Sequence, residues 1–244
     1  MLKKRFMATW IFLGLSFVAI TGCSPGGGPL SGKQYDLADY LFPERSGILV
    51  YRRFTSEKPE DVKHFSEPEY QKDVQHKVVR NRNAIKVQIG DEVNRTYTLS
   101  DKTIDVEESK NDLSYRFQRH ASAHTNFVKE SVIKESEEIG SSSRITYECN
   151  ITGFKSTMTV KSNPQTYDDV LHIVCVRKQS VSTILDGKKI TSLTERREEN
   201  DYAKNVGLIR AEETWCDEVV IDDEHRSEAG CTRILDRIVT FIGE

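Results

Sequence analysis

Alternation of apolar and polar positions is the dominant pattern along this chain, and it predicts strands. Leu113, Tyr115 and Phe117 are interleaved with Ser114, Arg116 and Gln118, so one face is apolar and the other wet. Ile145, Tyr147 and Cys149 repeat the pattern, as do Val170 to Val176 and the run Ala84 to Ile89. Gly47 to Thr55 is apolar and β-branched enough for a strand. Thr96 to Leu99 and Thr103 to Val106 flank Ser100-Asp101-Lys102 as a hairpin. Asp186-Gly187 between two alternating segments is the cue for a type I′ hairpin turn. Gly90-Asp91 and Asn163-Pro164 read as further turns.

Three segments are less regular. Asp36 to Pro43 puts Leu37, Tyr40 and Leu41 on one helical face and ends at Pro43, which predicts a short helical turn. Phe127 to Ile139 is charged yet β-branched and is read as strand. Glu218 to Glu228 is acidic and polar and is read as loop, and Thr232 to Ile242 as strand or short helix. Turn signals every 10–15 residues and the lack of a long helical period give a mainly β fold: a curved antiparallel sheet, half-barrel or sandwich-like, with little helix. Its concave face needs cover, from a second sheet, long loops or a ligand.

The first 34 residues break this pattern. Lys3, Lys4 and Arg5 precede an uncharged, mostly apolar run from Phe6 to Ile20. That run is short of the roughly 20 residues a membrane-spanning helix needs, and it has the anatomy of a signal peptide. Ile20-Thr21-Gly22-Cys23 resembles a bacterial lipobox. The resemblance implies a diacylglycerol on the Cys23 sulfur, cleavage before Cys23 and acylation of the new amine. Two or three acyl chains make a lasting anchor where one would not. Ser24 after the cysteine, rather than Asp, favours the outer membrane, on its periplasmic face. Residues 24–33 are Gly-, Pro- and Ser-rich, a flexible tether. The chain divides into a signal peptide over 1–22, a lipidated tether over 23–34 and one β-rich domain over 35–244.

Removing the first 22 residues leaves 32 basic and 38 acidic residues, a net charge of −6. An exported, mildly acidic chain is a poor partner for nucleic acid. Cys149, Cys175, Cys216 and Cys231 remain, an even number in an oxidising compartment. Three pairings are open. Cys149–Cys175 and Cys216–Cys231 are favoured because each pair sits on successive or nearly successive strand-like segments.

A second resemblance lies further along. Tyr167-Asp168-Asp169-Val170-Leu171-His172-Ile173 is followed by Tyr202-Ala203-Lys204-Asn205-Val206-Gly207-Leu208-Ile209. The latter resembles the Tyr-Ala-Lys-Gly-x-Gly-Leu-Val signature of uncharacterised bacterial lipoproteins and secreted proteins, which implies neighbouring strands. The segment ADYLFP, from Ala38, is similar to the start of the mature domain in such lipoproteins. Asn205 replaces a Gly and tolerates a left-handed conformation, so the motif reads as a structural kink. Tyr202 and Lys204 are the candidate binding residues.

Candidate chemistry is thin. His120 and His124 would stand about 13 Å apart on a strand and share no metal. The acidic run Asp217, Glu218, Asp222, Asp223 and Glu224 lacks calcium-loop spacing. Glu92-x-Asn94-x-Thr96 and Glu148-x-Asn150-x-Thr152 resemble bacterial glycosylation sequons. No P-loop, nucleophile elbow or zinc motif is present. The expectation is a lipid-anchored envelope protein without metal or cofactor and without catalytic activity. It would bind an apolar ligand or an envelope protein, or serve as an accessory part of an envelope complex.

Overall fold

The computed structural model describes residues 33–57, 69–89, 92–109, 113–123, 126–136, 141–222, 225–226 and 230–243. Cys23, the tether up to Gly32, Gly90-Asp91 and His124 lie outside the described residues. The elements are β1 (Gln34–Asp36), α1 (Ala38–Leu41), β2 (Gly47–Glu57), β3 (Glu69–Asn81), β4 (Ala84–Ile89), β5 (Glu92–Leu99), β6 (Thr103–Glu108) and β7 (Leu113–Gln118). They continue as β8 (His120–Ser122), β9 (Asn126–Ser136), β10 (Ser141–Val160), β11 (Asn163–Leu185), β12 (Lys188–Ala203), β13 (Gly207–Ile221), β14 (His225–Arg226) and β15 (Gly230–Gly243).

The strands β2–β7 form one antiparallel meander and β9–β13 a second. The last strand, β15, pairs with β13 on one side and β2 on the other, and so fuses the two meanders into a single sheet. β14 hangs on β13, and β1 pairs only with β8. The sheet curls until its edge strands β7 and β9 approach within 8 Å between Cα atoms without forming a ladder. Bulges help it curl, because each adds a bend and local twist. They occur at Arg53/Phe54, Val87/Gln88, Ile151/Gly153, Asp201/Tyr202 and Ile238/Thr240.

Period-2 alternation decides what fills the curl. Leu49 and Tyr51 of β2, Val78 of β3, Ile85 of β4, Tyr97 of β5, Val106 of β6 and Phe117 of β7 are buried on the concave face. Tyr147, Cys149, Ile151, Leu171, Ile173 and Ile238 face them from the other wall. The Tyr115 and Tyr147 rings meet edge to face at 4.9 Å across the seam. The cover for the concave face is therefore the opposite wall of the same sheet. α1 and its flanks plug one end, with Leu37, Tyr40 and Phe42 buried and Phe42 set against Tyr97 at 4.7 Å.

Several strand readings hold, and four need correction. β9 is a strand, and β15 is a strand throughout. Asp186 and Gly187 both have positive φ, as the type I′ turn requires. The turn assigned to Asn163-Pro164 falls instead at Lys161-Ser162. Asn163 opens β11, its side chain accepting from the Gln165 amide and donating to the Tyr167 hydroxyl. The predicted acidic loop begins late, because β13 runs to Ile221 and β14 follows. Charged residues stay in a strand when only one face is covered. β3 was not anticipated, and β10 and β11 reach 20 and 23 residues, far beyond the expected turn spacing. At about 3.3 Å per residue, these two strands, with β12 and β13, run past the short strands β4, β6 and β7. Their far ends form a paddle with both faces exposed.

Candidate functional site

The three segments that resemble lipoprotein signatures converge on the plugged end. Val170 to Ile173 of β11 pair with Ala203 to Asn200 of β12, so the two motif segments are neighbouring strands. Asn205 has φ +61° and Gly207 φ +90°, which confirms the left-handed turn. The Asn205 amide donates to Asp39 O at 2.6 Å, and the Glu44 amide donates to Asn205 O at 2.9 Å. A Cβ on Gly207 would lie 3.2 Å from Pro43 N and 3.3 Å from Phe42 C, so that position needs Gly for close approach as well as for its φ. The Tyr-Ala-Lys-Asn turn is thus a latch that holds the ADYLFP segment in place. Asp36, whose carboxylate receives both Nε and Nη2 of Arg119, ties down the other side of the plug, and Arg80 reaches Pro43 O at 2.6 Å. Lys204 sits 4.0 Å from Asp39 at the surface. The Tyr202 hydroxyl points into the curl, where burial pushes its pKa up.

Both disulfides exist as read from the sequence. Cys149–Cys175 and Cys216–Cys231 each join directly opposed residues of paired strands. The first is buried in the curl, and the second opens onto the paddle.

The middle of the curl carries charge. Glu108 accepts from Arg95 Nε at 2.9 Å and from the Tyr115 hydroxyl at 3.1 Å, and lies 3.6 Å from Arg177. Arg196 sits between Glu198 at 3.1 Å and Glu213 at 2.8 Å. Arg53 grips Asp236 with two bonds of 2.8 and 2.6 Å. Burial pushes the Glu213 carboxyl up despite the Arg196 guanidinium beside it.

His76 stacks on Tyr51 at 4.5 Å, and its buried Nε2 finds no partner among the described residues. Burial lowers its pKa to about 4, with Arg53 and Arg95 adding to the fall and Asp236 opposing it. Neutral His76 in the folded state and an ordinary pKa of 6.5 in the unfolded chain set a sign. Between these values the unfolded chain binds more protons, so stability is intact above pH 6.5 and falls as the pH drops toward 4. The loss approaches about 3 kcal/mol. Urea titrations across this window should lose most of that slope in His76→Phe; an unchanged slope would assign it to other groups.

On the outer face, Asp201 is fully buried. Burial alone would raise its carboxyl, but hydrogen bonds from His172 Nδ1 at 2.9 Å and Arg210 at 3.1 Å, with Lys155 nearby, hold it below the usual carboxylate range. This is an ion-pair lattice, and no metal-binding group of three His, Cys, Asp or Glu occurs among the described residues. His120 is exposed on β8, apart from any such group. The acidic run serves the paddle: Asp217 accepts from Thr194 and Trp215 Nε1, and Asp222 accepts from the Lys189 amide. Asp223 and Glu224 lie outside the described residues. Of the sequons, Asn94 lies in β5, and Asn150 is in β10, paired on both sides. A glycan on Asn150 would have to be added before the sheet closes.

The paddle is the surface that sequence reading missed. On the face continuous with the curl it exposes Val181, Leu185, Trp215, Val219 and Ile221. The register sets Val181 and Val219 on either side of Ser192 and brings Ile190 beside Ile221. On the opposite face a half-open groove of about 910 Å³ has Leu193 and the Cys216–Cys231 bridge in its lining, with Arg144, Lys178, Arg197, Glu195 and Glu218 around them. Alternation in β11 and β13 was legible; that these strands outrun their neighbours was not.

The chain is thus a mainly β protein built on one curled antiparallel sheet, plugged at one end and extended at the other. No family model, no curated protein and no solved structure matches it.

Proposed function

We propose that this is a lipid-anchored protein of the cell envelope with a non-catalytic binding role, held to the membrane through Cys23, and that the paddle engages an envelope protein. The exposed apolar row of Val181, Trp215, Val219 and Ile221 carries this reading. An apolar row on a rigid sheet face, rimmed by charge, suits a protein interface. The competing occupant, an apolar ligand inside the curl, is disfavoured by what lines it. Arg95, Glu108, Arg177, Arg196, Glu198 and Glu213 are already paired with one another there, and a greasy ligand would strand them. An accessory role in an envelope complex uses the same surface and differs only in what the contact achieves.

A photoreactive residue in place of Val219, illuminated in intact cells, should yield a discrete adduct with an envelope protein. The same residue in place of Lys86, on the barrel wall, should not. Adding Cys23→Ala should move the chain off the membrane and remove the adduct. An adduct that persists from a still membrane-bound Cys23→Ala chain would contradict the lipid anchor.

A further inference from the structure

The convex face of the curl carries a row of like charge. Tyr51 and Ile238 point into the core, so their chain neighbours Arg52 and Arg237 point out. Arg237 of β15 lies directly opposite Arg210 of β13 on one side and Arg52 of β2 on the other. Arg233 stands four residues before Arg237, on the same face of β15. Like charges directly across a ladder destabilise it, and this row makes that contact twice.

The counter-charges are unevenly shared. Arg210 is paired with Asp201 and Glu212, and Arg233 with Glu212. Arg52 meets Asp73 only through Nε, at 3.7 Å, and its two Nη groups have no acceptor among the described residues. Arg237 has neither an acidic partner nor a hydrogen bond among them. Burial lowers its pKa, Arg210 and Arg233 lower it further, and Glu212 opposes them. Arg53, Arg95, Arg119 and Arg196 shift the other way. Arg237 is thus a charge the fold holds in place without answering it.

It is also held in a set orientation. The bulge at Arg53/Phe54 brings Tyr70 of β3 directly opposite Phe54, and the two rings meet edge to face at 6.2 Å. The Arg237 guanidinium lies over the Phe54 ring at 5.0 Å, and that of Arg52 over the Tyr70 ring at 5.9 Å. Stacking on an aromatic face occupies the plane of a guanidinium and leaves its N–H edge free for an anion. One carboxylate is satisfied by one such edge. Two unclaimed edges side by side suit a group with more charge and more acceptor oxygens, and a phosphate supplies both.

We propose that Arg52 and Arg237, on the Phe54–Tyr70 shelf, form a clamp for the phosphate group of a phosphate ester, with Arg210 and Arg233 adding to its field. The clamp lies on the wall of the curl, separate from the paddle, and does not depend on what the paddle binds. A soluble ester and a lipid headgroup present the same group to it.

The test is calorimetric titration of the full chain, in uncharged detergent and phosphate-free buffer, with two probes. Glycerol 3-phosphate carries the group alone, and dihexanoyl phosphatidic acid carries it on a short lipid. Wild type should bind at least one. Equal affinities assign the clamp to soluble esters, and tighter binding of the lipid assigns it to a headgroup; either result supports it. Arg237→Gln and Arg52→Gln should each weaken binding by more than about tenfold. Arg237→Lys, which keeps the charge but not the fork, should fall between. Arg116→Gln, which removes the exposed partner of Asp105, should bind as wild type does. Without ligand, Arg52→Gln should keep the wild-type urea midpoint because its side chain is 44% exposed, so it carries the test if Arg237→Gln folds poorly. Failure of both probes to bind wild type, or unchanged binding in Arg52→Gln, would overturn the proposal and leave the row as a solvated surface.

Discussion

Replacing Glu108 with Ala should destabilise the fold by about 3 kcal/mol. Glu108 is 7% exposed and answers two guanidiniums at once, Arg95 and Arg177, together with the Tyr115 hydroxyl. Removing it leaves two cations in the curl without their counter-charge. The loss of one partner from a buried pair typically costs about 3–5 kcal/mol. The lower figure applies because Arg95 keeps 28% of its side-chain surface in water. Glu108→Gln retains shape and one acceptor and should fall between. Asp105→Ala removes the exposed Arg116 pair and should cost about 0–1 kcal/mol. Urea unfolding followed by circular dichroism separates the three as shifts in midpoint at constant slope. Equal effects of Glu108→Ala and Asp105→Ala would mean that the curl is open to water and is not the core.

Losing the Cys149–Cys175 bridge should cost about as much. Its sequence separation of 26 residues corresponds to about 3.5 kcal/mol of denatured-state entropy in the loop-closure account. Cys149→Ala with Cys175→Ala also removes two buried sulfurs from the concave face, where Cys149 is fully enclosed. The Cys216–Cys231 bridge closes a shorter loop of 15 and borders the exposed groove, so its removal should cost less. A domain of this size has about 5–15 kcal/mol in total. The first double variant should therefore unfold at markedly lower urea, and the second should stay closer to wild type. A reversed order would place the weight of the fold on the paddle end.

The strands were largely legible because each obeys alternation locally. Tyr115 and Phe117, or Ile145 and Tyr147, declare their face within six residues, and Asp186-Gly187 declares its own turn. The bridge partners were legible for the same reason, since directly opposed positions follow from consecutive antiparallel strands. The place of β15 was hidden. Whether Thr232 to Ile242 pairs with its predecessor or with β2, some 180 residues away, depends on the closure of the whole sheet. β3 was hidden because Glu69 to Asp73 are all exposed and carry no alternation of apolar and polar residues. The Glu108 network was also hidden, although a signal existed. Arg95, Arg177 and Glu198 sit at inward positions of alternating strands, where an apolar residue is expected, and charges at such positions point to one another across a core. The candidate binding pair, Tyr202 and Lys204, fell on a real feature whose geometry is architectural: it latches the plug. The surface assigned to binding comes from relative strand lengths, which no local pattern encodes.

The binding role is tested most directly by quantitative affinity capture from gently solubilised envelopes. Wild type is compared with a chain carrying Trp215→Ser and Val219→Ser. Both positions are exposed, at 46% and 38%, so the variant should fold with an unchanged urea midpoint. An envelope protein enriched with wild type and lost with the variant is the predicted result. Recovery of the same proteins with both chains would contradict it.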